Sequence, residues 1–361
     1  MPEIRITTSG NSFRKAKVFH RPLKNQSAAV SLTPIANAIL GFRAGNILFT
    51  AVRLGVFEKL ERGTASAAKL ARRLHLDLRR AEIFFDSLVA LDFLTKTPQG
   101  YGLTPTSRRF LIPSSPTTFV HNLLYQHELA PRWASLVHSL KSRGRRGALL
   151  AQVKSRRFAK EYALGMLELA RKSAIEVAEY LAPLSPNFIL DVGAGPGSYS
   201  RALLEKIPGS VATLMDLPTT IAIAKSLKSE NRLDNNRIRM QAHDYRKGHF
   251  GRERYDLVLM SNITHDESER EVQKLFLRAH VALKAGGRIA IHDFVTNRDH
   301  TGPLFGALFS VHMLTYTERG KTYSEEEYLR WLKNVGFKIE FIRPVGSGNA
   351  NESRLIVGRK G

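Results

Sequence analysis

The stretch "ILDVGAGPGSYS", residues 189–200, decides the fold of the second half of this chain. Apolar residues lead into Asp191, glycines follow at the alternate positions Gly193, Gly195 and Gly197, and small polar residues then open a helical pattern. Glycine adopts backbone torsions that other residues resist, and it lets a ligand approach the main-chain amides. The order of strand, glycine-rich turn and helix predicts a ligand-binding turn at the carboxyl end of a strand.

Apolar runs of strand length recur around this turn. They are separated by helical stretches such as "SYSRALLEKI" and "SEREVQKLFLRAHVALK". The runs are "NFILDV", "SVATLMD", "YDLVLMSN" and "GRIAIHDFV". This alternation predicts an α/β fold, a Rossmann-like doubly wound parallel sheet with helices on both faces.

Two more acidic residues follow the next strands of this pattern. Asp216 ends "SVATLMD", where a carboxylate can accept hydrogen bonds from two ribose hydroxyls, and Asp244 falls in the next inter-strand loop. The glycine spacing is D-x-G-x-G-x-G, which differs from the G-x-G-x-x-G of dinucleotide sites. Each feature alone also fits a structural turn or a capping aspartate. In order at successive strand ends, they predict adenosine binding.

The N-terminal half has the helical period instead. "NILFTAVRLGVFEKLE" has one apolar helix face, and two further amphipathic segments follow it. "TKTPQGYGLTPTSRRFL" then places Pro98 and Gly100 between short strands, as in a hairpin. Helices with a hairpin predict a winged-helix module, which binds DNA in some proteins and dimerises in others. We expect a helical domain with linker helices over residues 31–180 and the sheet domain over 181–361.

Composition limits the class of protein. Apolar residues make up 43% and charged residues 24% of the 361 positions, as in globular domains. No apolar run approaches the roughly 18 residues of a membrane span, so we predict none. Cysteine is absent, which excludes disulfides, thiolate metal sites and cysteine nucleophiles and fits a reducing cytoplasm. We predict no metal site and a cytoplasmic location.

The excess of positive charge is partly local. Lys and Arg number 55 against 32 acidic residues, a net charge of +23. We expect residues 1–30 to form a basic, flexible extension, and residues 141–160 carry eight Lys or Arg and no acid. Such blocks attract nucleic acid, anionic membranes or acidic partners through their summed field. We favour the simpler interpretation of a solvated helix face and a loose tail.

From about residue 35 onward, the chain resembles the class I S-adenosylmethionine-dependent small-molecule O-methyltransferases, the group of plant caffeic acid and acetylserotonin O-methyltransferases. The pieces that carry the resemblance are "DVGAGPG", "MDLP", "HDY", "SNITHDES", "LKAGGRIAIHDF" and "YSEEEYLRWLKNVGF". The resemblance implies S-adenosylmethionine as cofactor and an acceptor hydroxyl on an aromatic or polyketide-like molecule. It also implies a homodimer paired through the winged-helix domain.

The same resemblance implies roles for the cofactor residues. The glycine turn would accommodate the methionine part, Asp216 would hold the ribose, and Asp244 with Tyr245 would flank adenine. The full predicted cofactor set is Asp191, Gly193, Gly195, Gly197, Asp216, Leu217, Asp244, Tyr245 and Ser261.

"SNITHDESEREV" follows the fourth predicted strand, and the resemblance makes its His265 the general base. Methyl transfer is a displacement at a sulfonium, and a neutral phenol with a pKa of about 10 is a poor nucleophile. An imidazole, with a pKa of about 6.5, accepts that proton at neutral pH. Asp293, at the end of the next strand, is implied to orient or polarise the histidine. We interpret Asp266, with Glu269, as a helix capping box.

The chain departs from the plant pattern at several positions. Thr322 in "GKTYS" stands where plant members carry a second catalytic glutamate, and Thr317 stands where an asparagine often contacts the phenol. Ser261 and Asn262 replace a Lys-Trp pair before the histidine. These changes leave the cofactor assignment intact and leave the substrate, and even the methylated atom, open.

Six residues are predicted to line the acceptor pocket, although ordinary core packing explains each of them equally well. They are Tyr162, Met166, Phe309, His312, Met313 and Tyr316. His312 is also an alternative base.

Two other functions stay open on sequence. One is a C- or N-methyltransferase, or a relative that keeps the cofactor for other chemistry. The other is nucleic-acid binding through the winged helix and the basic blocks. Base methylation is disfavoured, because "SNIT" stands where a D/N-P-P-aromatic stretch would follow the fourth strand.

Overall fold

The computed structural model describes four segments of the chain. Residues 1–29 of the basic extension and most of the basic block 141–160 lie outside the described residues. The described segments are 30–141, 156–227, 235–346 and 353–361.

The N-terminal domain contains the predicted helices and hairpin. Its elements are α1 (Thr33–Leu54), α2 (Val56–Lys59), α3 (Ala67–Arg73), α4 (Leu78–Ala90), β1 (Leu94–Thr97) and β2 (Gly100–Leu103). The single helix expected over residues 47–60 is interrupted, because Gly55 adopts a left-handed conformation with φ of 74° between α1 and α2. Ser66 and Asp77 cap α3 and α4 by accepting backbone N–H bonds through their side chains.

Helix α1 leaves much apolar surface uncovered. Ile35, Ile39, Leu40 and Phe42 are each at least 47% exposed. By length and composition the helix could cross a membrane, which the sequence analysis did not anticipate. One such helix does not establish a span, since the core helix of a soluble protein and a signal sequence meet the same criteria of length and composition.

Four helices link this domain to the sheet: α5 (Pro105–Phe110), α6 (Val120–Ala134), α7 (Leu136–Lys141) and α8 (Arg156–Leu181). The buried carboxylate of Glu168 in α8 accepts the backbone N–H groups of His121 and Asn122 and so fastens α8 to α6. Further along α8, Val177 and Leu181 are buried in the core beneath the sheet. The same long helix therefore packs against both parts of the chain.

The second half is built on a seven-stranded sheet in the order β10-β11-β7-β6-β3-β4-β5. Strands β3 to β7 pair in parallel, which confirms the doubly wound α/β prediction, and an antiparallel β10–β11 pair extends one edge. The strands of this sheet are β3 (Phe188–Val192), β4 (Val211–Asp216), β5 (Ile238–Ala242), β6 (Tyr255–Ser261), β7 (Leu283–Asp293), β10 (Phe337–Val345) and β11 (Ser353–Lys360). Two short strands outside it, β8 (Val295–Thr296) and β9 (Tyr323–Ser324), pair with each other in parallel.

Helices cover both faces of the sheet. Alternate residues of a strand point to opposite faces. Ile189 therefore joins the core under α8 and α9 (Ser198–Lys206), while Leu190 joins the core under α11 (Glu269–Ala282) and α13 (Glu325–Val335). Burial on both faces is why these strands read as continuous apolar runs. The covering helices are α9 (Ser198–Lys206), α10 (Pro218–Ser226), α11 (Glu269–Ala282), α12 (Leu304–Leu314) and α13 (Glu325–Val335).

The glycine turn between β3 and α9 requires glycine for two separate reasons. Gly193, Gly195 and Gly197 all have positive φ, at 66°, 55° and 84°. A Cβ on Gly193 would lie 2.5 Å from Cγ2 of Ile263, whereas a Cβ on Gly195 would meet nothing within 4 Å. Gly193 is therefore fixed by packing as well as by backbone conformation, and the space over Gly195 is open.

This contrast makes a prediction about stability. Gly193→Ala combines left-handed strain with overpacking and should lower the free energy of unfolding by about 3 kcal/mol. Gly195→Ala, its matched control, adds only the backbone strain and should cost about 1 kcal/mol. Chemical denaturation of the two variants beside the wild type measures the difference. Equal losses would show that the contact with Ile263 does not constrain the turn.

Candidate active site

A cavity of about 1390 Å³ lies at the carboxyl ends of the parallel strands, between them and helices α6, α8 and α12. Ligands of open α/β sheets bind at this edge. Every predicted site residue lines the cavity except Gly197, which packs on Leu214, and Asp293, which is buried behind His265. The structure therefore brings the predicted cofactor, base and pocket residues to one place.

Asp216 ties the end of β4 to the glycine turn. Its Oδ2 accepts the N–H of Gly195 at 2.7 Å, and its Oδ1 accepts the N–H of Leu217 at 2.6 Å. Burial raises the pKa of this carboxyl above its ordinary value. A carboxylate accepts up to about four hydrogen bonds, so this group can also accept a hydroxyl group of a ligand.

The carboxylate of Asp191 is buried, and its hydrogen bond is to another residue of the protein. Its Oδ2 accepts the hydroxyl of Ser200 at 2.7 Å, which braces the first turn of α9 against β3. Burial raises the pKa of Asp191 to about 7.

Asp244 has a partner that the sequence analysis missed. Arg246 donates from Nε to Oδ1 at 2.8 Å and from Nη2 to Oδ2 at 2.7 Å, a two-pronged ion pair that lowers the pKa of the Asp244 carboxyl. The neighbouring Tyr245 donates its hydroxyl to Glu267 at 3.1 Å. The only signal for the ion pair was the arginine two residues after the acid in "HDYRKG".

His265 is held by Asp293 from behind. His265 Nδ1 lies 2.5 Å from Asp293 Oδ1, and the backbone N–H of His265 donates to Asp293 Oδ2 at 3.2 Å. The N–H of Phe294 donates to Oδ1 at 2.8 Å. These bonds fix the plane of the imidazole and direct Nε2 away from the carboxylate.

Two further hydroxyls complete the surroundings of Asp293. Thr264 donates its Oγ1 to Asp293 Oδ2, and the hydroxyl of Tyr328 lies 2.7 Å from Thr264 Oγ1. Sequence reasoning found neither residue. The only sequence signal for Thr264 is that it precedes His265. Tyr328 lies far along the chain in α13, so no local pattern relates it to this site.

The electrostatics of the pair follow from burial and charge together. Burial acts to lower the pKa of His265, but the charges of Asp293 and Asp266 and the bond to Asp293 outweigh it, so this pKa is raised. Burial acts to raise the pKa of Asp293, but His265 and the hydroxyl of Thr264 outweigh it, so that pKa is lowered. Asp293 is therefore ionised at neutral pH and favours a proton on the imidazole.

The capping-box interpretation of Asp266 is wrong. The N-cap of α11 is Ser268, whose side chain accepts the N–H of Glu271. The segment contains two overlapping capping patterns, D-x-x-E from Asp266 and S-x-x-E from Ser268. The helix begins after the second one. Asp266 instead lines the cavity with Oδ1 3.8 Å from His265 Nε2, and burial raises its pKa to about 6.

Aromatic rings form the wall beside His265. The ring of Phe309 meets the imidazole edge-on at 4.9 Å between centroids, and Phe294 and Phe305 pack behind it. The ring of His312 stacks on Trp133 at 5.9 Å, and burial lowers the pKa of His312 to about 4. His312 is therefore neutral at neutral pH.

The remaining predicted pocket residues form one cluster with α6. Tyr162, Met166 and Phe309 pack against Met313 and Tyr316. The hydroxyl of Tyr125, which the sequence analysis did not select, donates to the Tyr316 hydroxyl at 2.8 Å.

The two threonines that depart from the plant pattern have different positions. Thr317 lines the cavity, but its Oγ1 donates to the carbonyl of Met313 and accepts the N–H of Gly320. Thr322 is fully buried away from the cavity lining.

Two family models match the chain. An O-methyltransferase domain matches residues 140–338, and an O-methyltransferase dimerisation domain matches residues 36–113. The first covers α8 and the chain from β3 to the start of β10, and the second covers most of the predicted winged-helix module.

Individual relatives agree with these matches. The chain is 26% identical to a 3-hydroxy-5-methyl-1-naphthoate 3-O-methyltransferase of Streptomyces sahachiroi, over 88% of this chain and 93% of that protein. It is 28% identical to acetylserotonin O-methyltransferase of Bos taurus, over 85% and 92%. The fold is similar to crystallised human N-acetylserotonin methyltransferase in complex with SAM, with a TM-score of 0.80 and 23% identity, over 93% of this chain and 100% of that one.

Proposed function

Because this chain belongs to the O-methyltransferase family, we propose that His265 is the general base with which it methylates a hydroxyl group of an aromatic or polyketide-like small molecule. The observation that carries the proposal is the buried bond of 2.5 Å between His265 Nδ1 and Asp293, at the wall of an aromatic-lined cavity.

The residues at the strand ends fit S-adenosylmethionine, the cofactor of the reaction. Asp216 has lone pairs for the ribose hydroxyls, and the open space over Gly195 admits a chain against the main-chain amides. Tyr245 lines the same part of the cavity with Asp244 and would flank adenine. When bound, the cofactor supplies an electrophilic methyl group on a positively charged sulfur.

The proposed proton transfer uses both nitrogens of His265. Since Asp293 is ionised, Nδ1 carries the hydrogen that it accepts, and Nε2 is left as a proton acceptor at the cavity. Nε2 takes the hydroxyl proton as the acceptor oxygen attacks, and Asp293 stabilises the imidazolium that forms. Asp266, 3.8 Å from Nε2, adds a second acidic group on that side.

The cavity wall supports an aromatic acceptor. The rings of Phe294 and Phe309 lie beside His265 and offer flat apolar surfaces, with Phe305 packed on both. The hydroxyls of Tyr125 and Tyr316 offer polar contacts. By their names, the Streptomyces relative acts on a hydroxylated naphthoate and the Bos taurus relative acts on acetylserotonin. A planar ring system that presents its hydroxyl to His265 fits this arrangement.

Removing the base tests the mechanism. His265→Ala should lower kcat by about a hundredfold or more with a phenolic acceptor, because the variant lacks the imidazole nitrogen that takes the hydroxyl proton. The affinity for S-adenosylhomocysteine, measured by calorimetry, should stay the same, since proton transfer is separate from nucleoside recognition.

The matched control for this variant is His312→Phe. It removes a second histidine of the cavity lining while keeping a ring stacked on Trp133. It should retain kcat within about tenfold. If His312→Phe is the inactive variant and His265→Ala methylates at the wild-type rate, the base is His312 and the assignment of His265 is wrong.

We also propose a homodimer formed by the helical domain of residues 31–180, with residues 181–361 as the methyltransferase domain, and a cytoplasmic location. The dimerisation model begins at residue 36, within α1. Ile35, Ile39 and Phe42 lie at helical spacing on one exposed face of that helix. A second copy of the chain would cover this apolar face.

Charge on that face should break the dimer. Ile39→Glu with Phe42→Glu should give a monomer in sedimentation experiments, because burying two carboxylates in an apolar interface costs several kcal/mol. The control pair is Leu277→Glu with Val281→Glu, on an exposed part of α11, and it should remain dimeric. A wild-type protein that sediments as a monomer at every concentration would contradict the dimer.

A further inference from the structure

Three buried polar atoms at the ends of β6 and β7 have no hydrogen-bond partner among the residues that the structure describes: Ser261 Oγ, Asn262 Oδ1 and His292 Nδ1. All three residues line the cavity, and His292 is only 1% exposed. Ser261 and His292 are direct neighbours in the parallel pairing of β6 and β7, so their side chains share one face. A buried polar atom left unpaired is costly, so these atoms need a polar partner from the cavity.

The hydrogen bonds around these atoms define what that group must be. His292 Nε2 lies 2.7 Å from Ser353 Oγ, which donates to the carbonyl of Val345, so Nε2 carries the ring hydrogen and Nδ1 is an acceptor. Asn262 Nδ2 donates to the hydroxyl of Tyr199 at 3.0 Å, which leaves Oδ1 as a second acceptor. Ser261 can accept as well. These three atoms therefore match a ligand group that donates hydrogen bonds.

The imidazole of His292 stays neutral in this position. Burial lowers its pKa to about 4, so at neutral pH Nδ1 keeps its lone pair. The ring of Tyr199 packs on it at 5.2 Å between centroids, and Tyr199 follows the glycine turn directly in α9. The acceptors therefore lie beside the turn that the cofactor must cross.

The sheet order places this site at one end of the cofactor. Asp216 and Asp244 follow β4 and β5 on one side of β3, whereas Ser261 and His292 end β6 and β7 on the other. Neighbouring strands lie about 4.8 Å apart, so β4 and β6 are separated by about 10 Å. A ligand whose ribose binds Asp216 and whose chain crosses the glycine turn reaches these acceptors with its far end.

We propose that Asn262 Oδ1 and His292 Nδ1, together with Ser261 Oγ, bind the α-ammonium group of the cofactor's methionine part. An ammonium has hydrogens to donate and no lone pair, which matches a group of acceptors. The inference rests on the proposed function, because it takes S-adenosylmethionine as the cofactor. It gives Ser261 and Asn262, which replace the Lys-Trp pair of the plant enzymes, a role together with His292.

Three ligands separate the ammonium from the rest of the cofactor in calorimetry. They are S-adenosylhomocysteine, its deamino analogue, which keeps the carboxylate, and its decarboxylated analogue, which keeps the amine. His292→Leu and Asn262→Gly should each weaken both amine-bearing ligands by about tenfold or more and leave the deamino analogue unchanged. Glycine is chosen because Asn262 has φ of 54°, which glycine adopts without strain.

Asp216→Ala is the control, and it should weaken all three ligands by similar factors because each carries the ribose. Thermal unfolding checks the variants, and if His292→Leu does not fold, Asn262→Gly decides. Equal weakening of the deamino analogue, or unchanged binding of the amine-bearing ligands, would overturn the ammonium site alone. A wild-type protein that binds none of the three ligands would overturn the proposed function with it.

Discussion

The buried bond between His265 Nδ1 and Asp293 is the interaction on which the rest of the site depends. A carboxylate that is 1% exposed must be compensated by donors, because burying an unpaired charge costs several kcal/mol. The donors here are the imidazole, the N–H groups of His265 and Phe294, and the hydroxyl of Thr264. Satisfying this carboxylate fixes the turn after β6, and that turn carries His265 and Asp266 to the cavity.

The last two residues of β7, His292 and Asp293, place their side chains on opposite faces of the sheet. Consecutive strand residues point in opposite directions, so His292 faces Tyr199 and α9 while Asp293 faces Thr264 and Tyr328. One strand end thereby contributes to the proposed ammonium site on one face and to the proposed base on the other. The spacing of His292 and Asp293 along β7 therefore fixes the distance between the proposed ammonium site and the proposed base.

The sequence predicted those features that depend on local order. The glycine turn, Asp216 and Asp244 follow successive strands, and parallel strands bring their carboxyl ends to one edge. Side-chain partners that are distant in the chain could not be predicted, because no pattern relates Tyr328 in α13 to Asp293. The same holds for Ser353 and His292.

The errors have local physical causes. Overlapping D-x-x-E and S-x-x-E patterns hid the position of the cap, so Asp266 was assigned to the helix instead of the cavity. The apolar period continues through Gly55, so the periodicity alone does not predict the break between α1 and α2. The unpaired polar atoms at Asn262 and His292 became visible only when the surrounding packing was known.

The central claim is that the charge of Asp293 sets the protonation of His265. Nuclear magnetic resonance of histidine-labelled protein across pH measures this pKa directly in wild type, Asp293→Asn and the control Thr264→Val, which keeps the charge. The wild-type and Thr264→Val proteins should titrate above the ordinary histidine pKa. Asp293→Asn should titrate below it, because burial then dominates. An unchanged pKa of His265 in Asp293→Asn would contradict the account.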